Sequence, residues 1–315
     1  MSGLYLHIPF CRKACYYCNF HFSTSLKLKE PMVAALRQEI TLQADYLKGK
    51  KIQTVYFGGG TPSVLEIADL NLILNIVRQT FTVDDDAEIT IEANPEDIDP
   101  EKLIGWKAAG INRLSIGVQG FQDAVLKAWN RVHDSAQALA SLRLAKEAGF
   151  DNISADLIYG DPELTDEDWS GNIQKLIELQ IPHLSCYALT VETGTALHHH
   201  ILKGKSKPLD ETQSHRQYVV LQKRMKENGY EQYEISNFAL PGYKSRHNTS
   251  YWTGQWYLGI GPSAHSFNGV SRQWNVSNNV RYIKSIESGI IPFELELLSP
   301  EQRYNEWVMT GLRTS

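Results

Sequence analysis

The sequence is poor in the features that mark several classes of protein. It has only 4 cysteines, 12 prolines and 22 glycines in 315 residues, so it is neither a disulfide-rich nor a low-complexity chain. No apolar run approaches the roughly 20 residues that a membrane-spanning helix needs. The longest early run, residues 4–10, contains His7 and Pro9. With 42% hydrophobic and 21% charged residues, the composition is typical of a globular protein.

The sequence also lacks an excess of positive charge. Its 31 basic and 36 acidic residues give a net charge of −5 and are spread along the chain, so no basic stripe is available for nucleic acid, which we exclude as a partner. The first residues lack a basic segment followed by an apolar one. We therefore expect no secretory signal and a cytoplasmic location, where thiols stay reduced.

Hydrophobic periodicity predicts alternating strands and helices up to about residue 228. Strands are predicted at residues 4–8, 52–57, 88–92, 113–118, 153–159 and 183–189. Helices are predicted at about 31–48, 66–80, 100–109, 135–149, 166–180 and 211–228. These βα units in series predict an α/β fold with a parallel sheet. They fit a curved, incomplete barrel as well as an open doubly wound sheet.

The pattern changes after Gly229, which divides the chain into residues 1–229 and 230–315. The second region is predicted to contain extra strands or ordered loops at 230–238 and 251–267, and a helix at 302–312. Because that helix resembles the start of a further unit, we expect the chain to be truncated at Ser315. A run of three histidines at 198–200 is expected to lie in a solvated polar loop.

Three of the four cysteines, Cys11, Cys15 and Cys18, form a C-x3-C-x2-C cluster just after the first predicted strand. Such clustering in a reducing compartment indicates a metal site. A closed zinc site needs four ligands, and only His7 or His21 is near enough in sequence to complete one. A [4Fe–4S] cluster bound by three cysteines would leave one iron open to another ligand. The spacing favours the cluster, with zinc as the alternative.

The cysteine segment resembles the opening of radical S-adenosylmethionine (SAM) proteins of the oxygen-independent coproporphyrinogen oxidase family. The similarity begins at Tyr5-Leu6-His7-Ile8-Pro9-Phe10-Cys11 and continues in family order through Gly58-Gly59-Gly60-Thr61-Pro62-Ser63, Ile91-Glu92-Ala93-Asn94-Pro95, Ser115-Ile116-Gly117-Val118-Gln119, Asn130-Arg131 and Asp156-Leu157-Ile158-Tyr159-Gly160. It covers essentially the whole chain. It implies a partial (β/α)6 radical SAM barrel with a smaller C-terminal region, in which Cys11, Cys15 and Cys18 bind a [4Fe–4S] cluster and SAM chelates the open iron.

The resemblance also implies a SAM site, whose residues are Tyr5, Tyr17, Gly59, Gly60, Thr61, Glu92, Gln119, Arg131 and Asp156. The physical chemistry agrees, because glycines without a Cβ let backbone approach a ligand closely. Glu92, Gln119 and Asp156 lie near the ends of successive predicted strands, where barrel side chains converge and could hold ribose hydroxyls or an amino group. Arg131 supplies a cation suited to a carboxylate.

Two features separate this chain from the oxidases of the family. The oxidases have the cysteine motif C-x3-C-x2-C-x-C and carry an N-terminal extension before it. Here Asn19-Phe20 follows Cys18, and only four residues precede Tyr5. Both features indicate the HemW-type haem-chaperone branch. The segment His247-Asn248-Thr249-Ser250-Tyr251 resembles that branch's H-N-x-x-Y motif, which makes His247 and Tyr251 the candidate haem residues. His265 is a weaker candidate, and Cys186 is expected to be a buried structural thiol.

The resemblance thus implies a haem chaperone that binds a [4Fe–4S] cluster, SAM and haem and transfers haem to an acceptor protein. The alternative is an oxygen-independent coproporphyrinogen III oxidase, which would carry out radical SAM oxidative decarboxylation in porphyrin biosynthesis. A zinc-stabilised scaffold is disfavoured, because it leaves the glycine run and the acidic strand ends unexplained. The expected partners are haem and an acceptor protein. A reductant protein and a peripheral contact with a membrane are also compatible with the sequence. No catalytic residue is assigned.

Overall fold

Six parallel strands lie side by side in sequence order in the computed structural model, which describes residues 2–314. They are β1 (Ser2–Ile8), β2 (Ile52–Gly59), β3 (Val83–Ala93), β4 (Arg113–Gln119), β5 (Asn152–Tyr159) and β6 (His183–Ala188). A doubly wound sheet reverses its strand order partway, whereas consecutive right-handed crossovers keep the helices on one face. Here the six strands follow sequence order without a reversal, and the sheet does not close on itself within the described residues. The predicted α/β class and the partial barrel are therefore confirmed.

Helices lie at all six predicted positions. In the barrel they are α1 (Lys29–Leu42), α2 (Ile67–Thr80), α3 (Pro100–Ala109), α4 (Asp123–Ala128), α5 (Ser135–Glu147), α6 (Asp166–Glu178), α7 (Ala196–Leu202) and α8 (Glu211–Glu227). The first helix ends six residues before its predicted end, and α4 and α7 were not predicted. Within residues 2–314, no helix is both long and apolar enough to cross a membrane.

The expectation that the histidine run at 198–200 lies in a loop is wrong, because all three histidines belong to α7. The Thr195 side chain accepts a hydrogen bond from the backbone N of His198 at 3.2 Å and so caps the helix. Leu197 then packs into a small apolar cluster with Trp129 and Tyr17. Tertiary packing thus stabilises a helix in a segment whose composition looks solvated.

The region after residue 229 adds strands to both edges of the same sheet. Its elements are β7 (Glu231–Glu234), β8 (Asn237–Ala239), α9 (Arg246–Trp252), β9 (Trp256–Ile260), β10 (His265–Phe267), β11 (Ser271–Asn275), α10 (Asn279–Glu287), β12 (Phe293–Leu297) and α11 (Pro300–Arg313). The strand order is β12-β11-β10-β9-β1-β2-β3-β4-β5-β6-β8-β7. The expected extra strands and final helix are present. Tyr251, however, belongs to α9, and the division at residue 229 stays a prediction, since the sheet is continuous across it.

Side chains alternate between the two faces of the barrel strands. On β1, Leu4, Leu6 and Ile8 are fully buried beneath the helices, whereas Tyr5 lines a cavity on the opposite face. The same alternation, expected of a pleated strand, runs through the other strands. Apolar side chains therefore form the core between sheet and helices, and the inner face, which we call the lumen, is left to polar side chains.

Candidate functional site

The cysteine loop, residues 9–25, connects β1 to the turn before α1 and borders a cavity of about 520 Å³. Cys11, Cys15 and Cys18 all line this cavity, are half-buried and carry free thiols. The cavity also receives side chains from the carboxyl ends of β2 to β6, which is where barrel folds place their chemistry. Its volume falls within the roughly 300–1,000 Å³ typical of cofactor and ligand sites.

Two of the thiols accept hydrogen bonds from groups that the resemblance assigns to the SAM site. Thr61 Oγ1 donates to Cys11 Sγ at 3.3 Å, and Arg131 Nη1 donates to Cys15 Sγ at 3.3 Å. Burial raises the pKa of Cys11 to about 12, partly opposed by the Thr61 hydrogen bond. Donors to sulfur stabilise thiolate ligands and tune the metals they bind, so these contacts fit an iron–sulfur site.

Among the residues that the structure describes, the donor set offers no fourth ligand for a closed zinc site. Three thiolates on one zinc ion would lie about 3.8 Å apart, yet no group of three His, Cys, Asp or Glu side chains within residues 2–314 could hold one metal ion. His7 and His21 are engaged elsewhere, because His7 Nε2 contacts the His21 carbonyl at 2.9 Å and His21 Nε2 contacts Asn279 Oδ1 at 2.7 Å. Thiolates that each bind a separate iron do not need such close approach, so the residues fit a three-cysteine cluster.

A buried carboxylate fastens the cysteine loop to the barrel. The Arg12 Nε donates to Asp97 Oδ1 at 2.6 Å, and Ser63 Oγ donates to Asp97 Oδ2 at 2.8 Å. The Asp97 side chain is fully buried, while Arg12 is half-exposed. Asp97 therefore joins the residue next to Cys11 with the turn that follows the glycine run.

The glycine run lies directly against the cysteine loop. Gly60 N donates to the Ile8 carbonyl at 2.9 Å, and Thr61 N donates to the Phe10 carbonyl at 2.7 Å. A Cβ on Gly60 would lie 2.6 Å from the Phe10 carbonyl oxygen, so no larger residue fits. Gly59 has φ +107°, a conformation that glycine adopts without strain. Both glycines line the cavity.

The structure brings the predicted polar strand-end residues Glu92, Gln119 and Asp156 to this cavity. Glu92 accepts hydrogen bonds from Tyr56 Oη at 2.8 Å and from Gly59 N at 3.2 Å. Burial raises the pKa of Glu92 to about 7 and that of Asp156 to about 6. Gln119 has φ +65°, a strained value for a residue with a side chain, and such strain often marks ligand sites.

Arg131, Tyr5 and Tyr17 also line the cavity. Besides its contact with Cys15, Arg131 Nη2 donates to Asn94 Oδ1 at 2.7 Å and to the Gly117 carbonyl at 2.8 Å, whereas its buried Nε has no partner within residues 2–314. Tyr17 packs edge-on against Trp129. All nine predicted SAM residues therefore border one cavity together with the three cysteines.

The candidate haem residues His247 and Tyr251 lie on one face of α9, four positions apart. His247 is 2% exposed, and both ring nitrogens have partners: Nδ1 lies 2.7 Å from Thr54 Oγ1, and Nε2 lies 2.9 Å from Tyr251 Oη. Burial lowers the pKa of His247 to about 3, so the ring is neutral at physiological pH. Both residues line the same cavity as the cysteines.

The weaker candidate His265 is exposed, begins β10 and lies outside that cavity. Cys186 is buried as expected.

The sequence-based site omitted several polar residues of the lumen, chiefly Tyr56, Arg113, Ser115, His183 and Ser185. A signal for them exists, because polar residues recur at every second position of β3 to β6, as in Arg113-x-Ser115. On a buried parallel strand both faces are normally apolar. Such alternation therefore indicates that one face lines a ligand cavity.

The fold and this cavity define a radical SAM type of protein, and comparisons with known families agree. Residues 5–176 match the model of the Radical SAM superfamily. The chain is 38% identical to the heme chaperone HemW of Mycobacterium tuberculosis over 99% of its own length and 81% of the relative's. It is 35% identical to the heme chaperone HemW of Bacillus subtilis, over 99% and 83% of the two chains. The chain belongs to the HemW family of the radical SAM superfamily.

A solved structure gives the same fold. The coproporphyrinogen III oxidase HemN of Escherichia coli, a radical SAM enzyme, superposes with a TM-score of 0.86 at 28% identity, over 99% of this chain and 75% of the oxidase. The barrel and the region after residue 229 are therefore shared with the oxidase. The fold alone does not separate a chaperone from an oxidase.

Proposed function

We propose that this protein is a haem chaperone that binds a [4Fe–4S] cluster and SAM at the cysteine loop, binds haem in the lumen and transfers it to an acceptor protein. The proposal is supported by 35 to 38% identity to HemW heme chaperones over 99% of the chain. The observation that carries it is a neutral histidine, His247, in the same cavity as the three cysteines.

In this proposal Cys11, Cys15 and Cys18 would hold the cluster, and SAM would bind beside it. Gly59, Gly60 and Thr61 offer backbone and hydroxyl groups beside the cysteines, while Glu92 and Asp156 accept hydrogen bonds from ammonium or ribose hydroxyl donors. Tyr5 and Tyr17 supply aromatic walls. When bound, the cluster and SAM together supply one-electron chemistry.

His247 is the proposed axial ligand of haem iron. A ring that keeps its proton on Nδ1, directed at Thr54, has a lone pair on Nε2, which is the arrangement used by metal-bound histidines. In that tautomer Tyr251 donates to Nε2, and its hydroxyl has to move aside for iron. The rings of Tyr56 and Tyr251 lie 5.0 and 5.1 Å from the His247 ring and offer apolar cover to a porphyrin.

The second candidate function is coproporphyrinogen III oxidation, favoured by the TM-score of 0.86 to the oxidase HemN. Asn19 and Phe20 oppose it, because they stand where the resemblance to the oxidases requires a further cysteine. Both residues are exposed at the rim of the cavity. We therefore propose that the protein has no coproporphyrinogen oxidase activity.

One paired assay tests the function. Anaerobically reconstituted protein is given reductant, SAM and coproporphyrinogen III, with the Escherichia coli oxidase as positive control, and a second sample is titrated with haemin. We expect one haem per chain and no protoporphyrinogen. Many turnovers of coproporphyrinogen per chain would overturn the chaperone assignment.

We further propose a cytoplasmic location and a reductant protein as a second partner.

A further inference from the structure

Arg113 places a positive charge on the wall of the lumen, and this charge has no hydrogen-bonded partner at its Nε atom within the described part of the chain. It is the first residue of β4, it lines the cavity and it is only 2% exposed. Its Nε is itself buried. A buried guanidinium that lacks hydrogen-bond partners is costly even where carboxylates compensate its charge through space, so this arginine indicates a ligand that accepts hydrogen bonds.

The neighbouring carboxylates use their hydrogen bonds elsewhere. Asp156 Oδ1 accepts from Ser115 Oγ at 3.4 Å, and Glu92 accepts from Tyr56 and Gly59. Both feel the charge of Arg113 through space, because it opposes the burial that raises the pKa of each. Within residues 2–314 the Arg113 guanidinium makes no side-chain hydrogen bond or ion pair, so its fork, which matches a carboxylate in shape, is available to a ligand.

The two nearby histidines carry no charge that could pair with Arg113. His183 Nδ1 contacts Ser154 Oγ at 2.7 Å and Nε2 contacts Tyr233 Oη at 2.8 Å. Burial, with the charge of Arg113 adding to it, lowers the pKa of both His183 and His247. Arg113 thus lies among neutral rings, one of which is the proposed haem ligand.

Strand register separates Arg113 from the cysteine end of the cavity. Gln119, at the other end of β4, is six residues away, which is about 20 Å along a strand. Arg113 instead lies beside Thr90 of β3, and Glu88, two positions earlier, lies beside Thr54 of β2. Because Thr54 contacts His247, Arg113 and His247 belong to the same deep layer of the lumen.

We propose that Arg113 binds a carboxylate of the ligand in the lumen, and that this carboxylate is a propionate of the tetrapyrrole. The proposal rests on the proposed haem site at His247 and adds an anchor for the edge of the porphyrin that carries the propionates. The same chemistry could come from the carboxylate of SAM. The depth of Arg113 favours the propionate, and the experiment separates the two sources.

The experiment compares haemin with haemin dimethyl ester, in which both propionates are blocked, in the same detergent and with the full chain. Affinities are measured for the wild type, Arg113→Gln and Arg113→Lys, with SAM binding to the reconstituted protein measured in parallel. Arg216→Gln is the matched control, because it removes a half-exposed arginine paired with Asp166 at 3.2 Å on the outer surface. His247→Ala reports separately on the haem site, and thermal unfolding checks that each variant is folded.

We expect the wild type and Arg216→Gln to prefer haemin to its ester by about tenfold or more. Arg113→Gln should bind both equally, Arg113→Lys should keep part of the preference, and SAM affinity should be unchanged. If Arg113→Gln still prefers haemin to its ester as strongly as the wild type, the proposal is overturned. If this variant keeps the preference but loses affinity for SAM, Arg113 binds the SAM carboxylate instead, which also overturns the proposal. If His247→Ala binds haemin with an unchanged spectrum, the haem site itself is wrong, which is a different result. If Arg113→Gln does not fold, the test is made on Arg113→Lys. An Arg113→Lys variant that prefers haemin to its ester as strongly as the wild type would contradict bidentate recognition by Arg113.

Discussion

The Nδ1 atom of His247 lies 2.7 Å from Oγ1 of Thr54, and both residues are buried. Thr54 belongs to β2, whereas His247 belongs to the short helix α9 in the region after residue 229. Glu88 of β3 adds to this link by accepting hydrogen bonds from the backbone N of Arg246 and His247, each at 3.0 Å. The barrel strands therefore fix both the start of α9 and the orientation of its histidine ring.

Replacing Thr54 by valine should weaken haem binding without removing it. The change keeps the side-chain shape but removes the Nδ1 partner, and loss of such a partner commonly lowers metal affinity about tenfold or more. Haemin titration monitored at the Soret band measures the affinity and the spectrum. Thr41→Val, on the exposed side of α1, is the control. Unchanged affinity and spectrum in Thr54→Val would show that the contact does not position the ligand.

Single replacement of Cys11, Cys15 or Cys18 by alanine should abolish the iron–sulfur site. Anaerobically reconstituted wild type should contain about four irons and four sulfides per chain, and each variant should lose the cluster absorbance and its electron resonance signals. Cys186→Ala is the control, since Cys186 is buried in the core on β6 and should not affect iron content. Stoichiometric zinc without sulfide would contradict the cluster.

The Asp97→Asn variant should loosen the cysteine loop. The substitution keeps the size of the side chain but removes the charge that holds Arg12, and because Arg12 is half-exposed the loss is about 1 kcal/mol. Amide hydrogen exchange in residues 9–25 should accelerate about fivefold, even in protein without iron. Asp166→Asn, which breaks a surface pair with Arg216, should leave that segment unchanged. Equal protection in Asp97→Asn and wild type would refute the role of the carboxylate.

Glu39 should make stability depend on pH. This α1 residue is fully buried and accepts hydrogen bonds from Tyr282, Asn275 and Gly261. Burial raises its pKa from 4.5 to about 7, although these donors oppose the shift. The folded state therefore holds the proton more tightly than the unfolded state. Its contribution to the free energy of unfolding is fully present below about pH 4.5 and is lost as pH rises to about 7.

The comparison with Glu39→Gln isolates this contribution from the histidines, whose lowered pKa values act in the opposite direction. The difference in unfolding free energy, wild type minus variant, should fall by about 2 kcal/mol between pH 5.5 and 7 and be flat above pH 8. Urea unfolding at several pH values measures it. Glu30→Gln, on the exposed surface of α1, controls for the loss of a charge. A difference that does not vary with pH would mean that Glu39 is ionised throughout.

Much of the barrel could be predicted because its strands and helices carry strong local patterns. Asp99 illustrates this, since its side chain accepts from Lys102 N at 2.8 Å and Pro100 follows it at the first helical position. Helix α9 could not be predicted from hydrophobic periodicity, because its seven residues are polar or aromatic; Ser245 caps it locally, and Glu88 accepts hydrogen bonds from its first two backbone N–H groups. Local sequence does not encode a partner that is about 160 residues away.

The same distinction applies to the site. Cys11, Cys15 and Cys18 are close in sequence, so their proximity could be predicted from spacing. The alternation Arg113-x-Ser115 indicates a polar face on β4, but the sequence does not say which ligand or neighbouring residues this face meets. The sheet register and the residues that line the cavity show that Arg113 lies in the lumen at the level of His247.

Haemin titration of the wild type and of His247→Ala tests the central claim most directly. Cys18→Ala serves as the control, because it removes a cysteine at the cluster end of the same cavity. The account predicts a Soret shift that saturates at about one haem per chain in the wild type and persists in Cys18→Ala, but is shifted or weakened at least tenfold in His247→Ala. A His247→Ala variant that binds haem with the wild-type spectrum and affinity would contradict the account.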